Sequence, residues 1–167
     1  MRVLNVLFLC THNSARSILA EATLNHIGGG HFKAFSAGSS PRPNQQPHPL
    51  GLQVLREEGI ATDGLRSKSW DEFAGPGAPE MDLVITVCDD AAGEQCPYWP
   101  GHPATAHWGY ADPSATPGTD AERLEAFRRT LIAIRRRLEL LVSLPLEGIG
   151  KLALQAQARQ LAWEKPS

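Results

Sequence analysis

The chain has 167 residues, which is enough for one domain with a full hydrophobic core and too few to favour two. Hydrophobic residues make up 42% and charged residues 20%, the balance of a soluble globular protein. The net charge is −2 and no apolar stretch reaches the length of a membrane span, so we expect neither nucleic acid nor a membrane as a partner. The start of the chain lacks a signal-peptide cleavage pattern, which predicts a cytoplasmic protein whose three cysteines stay reduced.

The apolar residues alternate between strand and helix patterns along the chain. Residues 3–9 form a nearly continuous apolar run, typical of a parallel strand that is buried on both faces. From Asp120, the expected N-cap, apolar residues three and four apart predict one long helix that ends before Pro145. The three arginines of 135–137 lie within this helix and predict a solvated face. The other predicted elements are strands at 32–37, 81–87 and 105–108, helices at 17–26 and 50–58, a loop at 60–80 and a weaker helical tail at 147–163.

This order of elements predicts the fold class. Strands that alternate with helices favour right-handed βαβ units, and hence a single α/β domain with a parallel four-stranded sheet flanked by helices. Ligands of such sheets lie beyond the carboxyl ends of the strands. Because Cys10 and Cys88 both follow predicted strands at that edge, their thiols could meet in space.

A polar loop joins the first strand to the first helix. Its backbone N–H groups and the positive end of the helix form a seat for an oxyanion, and Arg16 can grip two anion oxygens. The same field stabilises the thiolate of Cys10, the reactive form of cysteine. Ser17 can donate a hydrogen bond to that sulfur. The alternative to a reactive site is that Cys10 is a buried structural cysteine and that Ser17 only caps the helix. The loop thus predicts a nucleophile, Cys10, and an oxyanion site made by Thr11, His12, Asn13, Ser14, Ala15, Arg16 and Ser17.

One motif covers this loop and the start of the helix: Cys10-x-x-Asn13-x-x-Arg16-Ser17-x-x-Ala20-Glu21. The motif resembles the loop of low-molecular-weight tyrosine phosphatases and of the arsenate reductases that are built on the same fold. The resemblance extends from about residue 3 to about residue 142. It implies a phosphatase-like arsenate reductase domain over 1–142 and a helical C-terminal extension over 143–167.

Two further cysteines distinguish the two branches of this family. Cys88 and Cys96 flank a small polar segment, and they could form a disulfide if that segment folds over. A phosphatase has no use for such a pair, whereas the segment resembles the redox loop of thioredoxin-coupled arsenate reductases. The resemblance implies that both cysteines are catalytic and that a thioredoxin or a glutaredoxin-like protein is the reductant. A zinc site that adds His102 and His107 to the two cysteines fits no standard spacing.

The segment 107–113 resembles the His-Trp-Gly…Asp-Pro stretch of the reductases. Both branches place an acidic residue before proline over the anion loop, and this resemblance implies that Asp112 is the general acid. The alternative is that Asp112 only starts a turn, as aspartate before proline commonly does. Tyrosine phosphatases usually put an aromatic residue beside this Asp-Pro, but Ser114 follows here, so we expect no aryl platform at that place. His107 and Trp108 are expected to serve packing and hydrogen bonding.

Some reductases of this family bind a potassium ion through Asn, Glu, Ser and Asp side chains. Asn13, Glu21 and Ser36 match the first three, whereas the Asp position falls near Ser69, with Lys68 beside it. We therefore expect no bound metal and no other cofactor. We hypothesise that the Lys68 ammonium supplies the positive charge that the ion would give.

These features together predict reduction of arsenate to arsenite, an activity of arsenical resistance, with phosphate or sulfate as competing anions. In the expected relay, Cys10 attacks arsenic, Cys88 then attacks Cys10, and Cys96 carries the disulfide to the surface. Two alternatives stay open. One is a low-molecular-weight protein tyrosine phosphatase that hydrolyses phosphotyrosine or small phosphoesters, and the other is a non-catalytic oxyanion or redox sensor.

Overall fold

The computed structural model describes residues 3–89, 99 and 103–163. Strands alternate with helices over the first two strand–helix pairs, as the apolar pattern predicts, and two strands and then two helices follow among the described elements. The strands are β1 (Leu4–Cys10), β2 (Phe32–Gly38), β3 (Leu83–Thr86) and β4 (Ala104–His107), and the helices are α1 (Arg16–Ile27), α2 (Pro49–Glu57), α3 (Asp120–Ser143) and α4 (Lys151–Leu161).

The four strands form one parallel sheet in the order β2-β1-β3-β4, which confirms the predicted fold class. Strand β1 lies inside the sheet and is buried along almost its whole length, because its apolar run packs on both faces. Strands β1 and β3 are neighbours, and the amide of Val87 donates to the carbonyl of Leu9. Cys10 and Cys88 therefore each follow this contact by one position, at the same edge of the sheet.

The core has two parts, one on each face of β1. The side chains of Val6 and Phe8 point into a large cluster to which the helices contribute, whereas Leu7 and Leu9 join a smaller cluster on the opposite face. The smaller cluster is covered by Trp70 and other partly buried aromatic residues. Alternate burial of successive side chains follows from the two-residue period of a strand.

Two local predictions need correction. The long helix begins one residue earlier than expected, because Thr119 rather than Asp120 is its N-cap. The Thr119 hydroxyl accepts from the amide of Glu122, and the Glu122 carboxylate accepts from the amide of Thr119, which satisfies two N–H groups that would otherwise be unpaired. The predicted loop at 60–80 contains a short 3₁₀ turn, Trp70–Phe73, which the sequence pattern did not indicate.

The arginine run of α3 is not a uniformly solvated face. Arg136 is exposed and Arg135 is partly so, but Arg137 is buried beside the apolar stripe of the helix. Helix α3 packs on α1, α2 and α4, and this packing covers the side of the helix on which Arg137 lies, while Arg136, about 100° away around the axis, stays exposed.

The C-terminal tail contains a helix, α4, within the range where a weaker helical pattern was predicted. It packs on the edge strand β4 and on α3. The proposed domain boundary at residue 142 stays a prediction. Among the described residues, no helix is both long enough and apolar enough to cross a membrane.

Candidate active site

The polar loop runs from the end of β1 to the start of α1. Cys10 is the last residue of the strand and Arg16 is the first residue of the helix, so two rigid elements fix both ends of the loop. Between them Asn13 has a φ of 58°, a left-handed conformation that asparagine tolerates better than most residues. This turn points the backbone N–H of Asn13 at the Cys10 sulfur, with an N···Sγ distance of 3.2 Å.

Cys10 is a buried free thiol. Besides the Asn13 amide, its sulfur lies 2.9 Å from the hydroxyl of Ser17, which donates when the sulfur is a thiolate. Hydrogen bonds to an anionic acceptor are stronger than those to a neutral one, so both contacts favour the reactive form. The expected contact between Ser17 and the sulfur is therefore present.

Asn13 braces the loop from behind. Its side-chain amide donates to Ser17 at 2.8 Å and to Ser36 of β2 at 2.9 Å. Its amide oxygen accepts from the backbone of Lys68 at 2.9 Å. Asn13 is fully buried, and these contacts tie the loop, β2 and the 60–80 segment into one network.

Arg16 reaches across the site to the segment that follows β4. Its guanidinium donates to the carbonyl of Tyr110 at 2.9 Å, and its other terminal nitrogen lies 3.7 Å from a carboxylate oxygen of Asp112. The side chain of Asp112 is 37% exposed, so it faces the open side of the loop. The same carboxylate accepts from the amide and the hydroxyl of Ser114, at 3.0 and 2.7 Å. Asp112 thus starts a turn and also lies at the anion loop.

Glycine is required at position 38 for the loop to pack on β2. A Cβ atom there would lie 2.6 Å from the carbonyl oxygen of Thr11 and 2.9 Å from the carbonyl carbon of His12. These distances are far below van der Waals contact, and both atoms belong to the backbone of the loop. Gly38 therefore sets how closely the loop lies against the sheet.

A largely buried ion pair lies behind the loop at the residues that match the potassium ligands. The Lys68 ammonium donates to the carbonyl of Ser36 at 2.9 Å and lies 3.8 Å from the carboxylate of Glu21, which also accepts from the Ser36 hydroxyl. Burial raises the pKa of Glu21 and lowers that of Lys68, while the attraction between the two opposes both shifts. A positive charge of the chain itself is therefore held next to Glu21 and Ser36.

The loop opens into a wide cleft of about 1450 Å³. Asn13 and Ser17 are buried behind the loop surface, whereas the other residues of the predicted oxyanion site line the cleft. His12 is half-buried, and its ring bonds to the carbonyl of Ser40 at 3.0 Å. The loop residues that line the cleft are Cys10, Thr11, His12, Ser14, Ala15 and Arg16, and they face Asp112 across it.

Trp70 and His48 also line the cleft, and the sequence did not single them out. Trp70 belongs to the 3₁₀ turn and lies against Trp99, with ring centroids 5.9 Å apart. His48 caps α2 by accepting from the amide of Leu50 at 3.2 Å. An aromatic wall is therefore present, although it comes from a segment other than the one that follows Asp112. An isolated tryptophan among polar residues was the available signal.

Cys88 is fully buried just beyond β3, and it is disulfide-bonded. The third predicted catalytic cysteine, Cys96, lies outside the described residues. The same holds for His102, so the zinc alternative stays untested; within the described ranges no group of three His, Cys, Asp or Glu side chains could hold a metal ion. The ring of His107 bonds to the hydroxyl of Thr86 at 2.7 Å, a structural role as expected.

A buried thiol thus lies in a loop between a strand and a helix, with an arginine and an aspartate beside it. The family model of the low molecular weight phosphotyrosine protein phosphatases matches residues 5–156, which is most of the chain. The chain belongs to this family. The catalytic branch within the family is a separate question, which individual relatives address.

Members of this family that resemble the chain include arsenate reductases. The arsenate reductase of Bacillus subtilis (strain 168) is 35% identical over 134 residues, which cover 80% of this chain and 91% of that protein. The structure of the arsenate reductase from Archaeoglobus fulgidus DSM 4304 superimposes with a TM-score of 0.67 at 28% identity, and covers 83% of this chain and 99% of that one. A thioredoxin-dependent arsenate reductase of Corynebacterium glutamicum gives a TM-score of 0.54 at 29% identity, with 83% and 63% of the two chains covered.

Proposed function

We propose that this chain reduces arsenate to arsenite, with Cys10 as nucleophile and Arg16 as the group that holds the anion. The observation that carries the proposal is the placement of a second cysteine, Cys88, at the end of the strand next to the one that delivers Cys10. A phosphatase needs one thiol, whereas the transfer of two electrons from thiols to arsenic needs two thiols, which form a disulfide. The similarity to arsenate reductases supports the same choice.

In the first step, arsenate lies in the loop against Arg16 and the backbone N–H groups. The Cys10 thiolate attacks arsenic and forms a sulfur–arsenic bond. The displaced oxygen takes a proton from Asp112 and leaves as water. Asp112 is the carboxyl group placed for this step, because its partly exposed side chain lies 3.7 Å from Arg16 at the open side of the loop.

In the second step, the thiolate of Cys88 attacks the sulfur of Cys10. The sulfur–sulfur bond forms as the sulfur–arsenic bond breaks, and the electron pair of that bond stays on arsenic, which leaves as arsenite. Two cysteines are oxidised and arsenic is reduced by two electrons, so the step balances. Cys96 then attacks Cys88, which frees Cys10 and moves the disulfide to the pair Cys88–Cys96.

A thioredoxin or a glutaredoxin-like protein of the cytoplasm would then reduce that disulfide by the same exchange chemistry. Phosphate and sulfate would compete with arsenate, since the loop offers donors to any tetrahedral oxyanion.

The second candidate is hydrolysis of phosphotyrosine or small phosphoesters. It is favoured by Trp70, which gives the cleft an aromatic wall, and by the width of the cleft, which is larger than an inorganic anion needs. Hydrolysis uses Cys10, Arg16 and Asp112 but neither of the other cysteines. The third possibility, a non-catalytic sensor, requires anion binding without turnover.

Turnover of arsenate and of p-nitrophenyl phosphate by the same variants separates these candidates. Arsenate is assayed with thioredoxin, glutaredoxin and a small thiol in parallel. We expect arsenate turnover in the wild type, loss of both activities in Cys10→Ser, and loss of arsenate turnover alone in Cys88→Ser. Full arsenate turnover by Cys88→Ser would exclude the relay. Phosphoester hydrolysis without arsenate turnover in the wild type would make the chain a phosphatase, and absence of both with tight phosphate binding a sensor.

A further inference from the structure

Arg137 is a buried cation in the core of the C-terminal half. It is 8% exposed and lies on the face of α3 that carries Ile134 and Leu138 into the core. Its guanidinium carbon lies 5.8 Å from the ring centroid of Trp108 and 5.0 Å from that of Tyr110. Both distances are within the range of a cation–π interaction, which is strongest where water is excluded. Arg137 therefore holds two aromatic rings of one segment at once.

Tyr110 connects Arg137 to the anion loop. Its ring lies under the Arg137 guanidinium, and its backbone carbonyl accepts the hydrogen bond from Arg16. Tyr110 is only 8% exposed, and this burial raises its pKa to about 12 despite the opposing effect of Arg137. The ring and the carbonyl to which Arg16 is bound belong to one residue, so the packing that holds the ring also restricts the backbone at that carbonyl.

Helix α4 holds the other end of the segment. The indole nitrogen of Trp108 donates to the carbonyl of Ala158 at 2.9 Å. Arg159 donates to the carbonyl of Thr105 at 2.9 Å, and Gln155 accepts from the Thr105 amide at 3.0 Å. These contacts close the free edge of β4, which would otherwise present unpaired backbone groups. The family model ends at residue 156, so Ala158 and Arg159 lie beyond the part of the chain that it matches.

We propose that Arg137 is a positioning residue for the anion site: it fixes Trp108 and Tyr110, and thereby orients Arg16 toward the anion. In this arrangement α4 is the base against which Trp108 is held. The guanidinium also donates to the carbonyl of Ala162 at 3.5 Å, just after α4, so one side chain joins α3, α4 and the segment after β4. The inference rests on the proposed function only in that Arg16 is taken to hold the oxyanion.

The alternative is that Arg137 contributes to stability alone. The two possibilities differ in what happens to anion affinity in the folded protein. A structural role lowers the free energy of unfolding and leaves the remaining folded molecules unchanged. A positioning role weakens the binding of arsenate and phosphate at temperatures where the variant is fully folded.

The test replaces Arg137 with methionine, which keeps a long apolar side chain and removes the planar cation. We expect the KM for arsenate to rise roughly tenfold, within the range seen for coupling through packed side chains. The concentration of inorganic phosphate that half-protects Cys10 from iodoacetamide should rise by about the same factor. Alkylation without phosphate should change less than twofold, because the contacts of the sulfur do not involve Arg137.

Thr119→Ala is the matched control. It removes the N-cap of the same helix and lowers stability without touching Trp108 or Tyr110, so KM and phosphate protection should stay at the wild-type values. Trp108→Phe tests the link to α4, because it keeps an aromatic ring and removes the donor to Ala158. We expect its KM to lie between those of the wild type and Arg137→Met, and an unchanged KM would exclude the α4 link.

The outcomes separate this inference from the proposed function. If the wild type reduces arsenate and is protected by phosphate, but Arg137→Met has the same KM and the same protection, Arg137 has no positioning role. If the wild type neither reduces arsenate nor is protected by phosphate, the proposed function fails. The role of Arg16 in holding the oxyanion, on which this inference rests, then fails with it. A rise in KM in Thr119→Ala equal to that in Arg137→Met would also overturn the inference, since loss of stability alone would then explain it.

Discussion

The guanidinium of Arg16 donates a hydrogen bond of 2.9 Å to the backbone carbonyl of Tyr110, although 94 positions separate the two residues. The contact joins the first turn of α1 to the segment that follows β4. Because Asp112 lies two residues further on, the same contact brings a carboxyl group to the anion loop. The orientation of Arg16 therefore depends on chain that is remote in sequence.

Arg16→Lys should lower kcat/KM for arsenate by at least about a hundredfold with little loss of stability. A lysine ammonium is a point charge that cannot make paired hydrogen bonds to two anion oxygens while it also holds the Tyr110 carbonyl. Steady-state kinetics at several arsenate concentrations measures the loss, and thermal unfolding tests the fold. A decrease of less than threefold would mean that charge alone, and not the planar group, holds the anion.

Gly38→Ala should lower the rate of arsenate reduction strongly and the free energy of unfolding only slightly. The added Cβ would meet the carbonyl oxygen of Thr11 at 2.6 Å, so the loop must move away from β2. A displacement of this kind at a reacting centre costs about a hundredfold in rate. Gly30→Ala is the control, since nothing lies within 4 Å of its new Cβ and φ is not in the left-handed region. Equal activities for the two variants, both in excess of half the wild-type value, would show that the loop tolerates the shift.

Ser17→Ala should slow the alkylation of Cys10 by iodoacetamide at neutral pH. The variant removes a 2.9 Å hydrogen bond to the sulfur, and a hydrogen bond to a charged group is worth about 1.5–3 kcal/mol, which corresponds to at least a tenfold effect. Thr23→Val removes another buried hydroxyl of the same helix and should leave the rate unchanged. Similar alkylation rates in Ser17→Ala and the wild type would mean that the backbone N–H of Asn13, and not Ser17, stabilises the thiolate.

Lys68→Met should destabilise the protein, and the loss should grow as the pH rises from 5 to 8. Without Lys68, the largely buried Glu21 keeps the desolvation that raises its pKa and loses the attraction to Lys68, the largest of the effects that lower it. A carboxyl whose pKa is higher in the folded than in the unfolded state favours folding while it is protonated, and this contribution is lost as the pH rises through the folded value. Breaking such a buried pair costs about 3 kcal/mol.

Urea unfolding at several pH values measures this effect, with the double variant Glu21→Gln/Lys68→Met as the control. The double variant has no buried charge at this position, so it should recover much of the lost free energy of unfolding and its pH dependence should be flatter. A loss in Lys68→Met that is the same at pH 5 and pH 8 would show that Glu21 is not the group that responds.

The nucleophile loop could be predicted from the sequence because its chemistry is local. Cys10, Asn13, Arg16 and Ser17 lie within eight positions, and the strand and helix on either side fix their geometry. The cap of α3 also has a local signal, since Thr119 precedes Glu122 by the three positions of a capping box, but Asp120 competes with it because aspartate also caps helices well.

Other features depend on contacts between distant segments and had no local signal. The burial of Arg137 follows from Trp108, Tyr110 and α4, which approach it only in the folded chain. Trp70 becomes part of the cleft because the 60–80 segment folds back beside the loop. A charged run in a helix indicates solvent by default, and only the tertiary packing decides which of its members is buried.

The transfer of electrons from Cys10 to Cys88 is the central claim, and a single turnover of Cys96→Ser tests it most directly. The variant is fully reduced, mixed with excess arsenate without any reductant, quenched with acid and mapped by mass spectrometry. The account predicts one arsenite for each protein molecule and one disulfide that links the Cys10 and Cys88 peptides. If arsenite forms while Cys88 stays a free thiol, or if no arsenite forms although Cys10 binds arsenic, the second step proposed here is wrong.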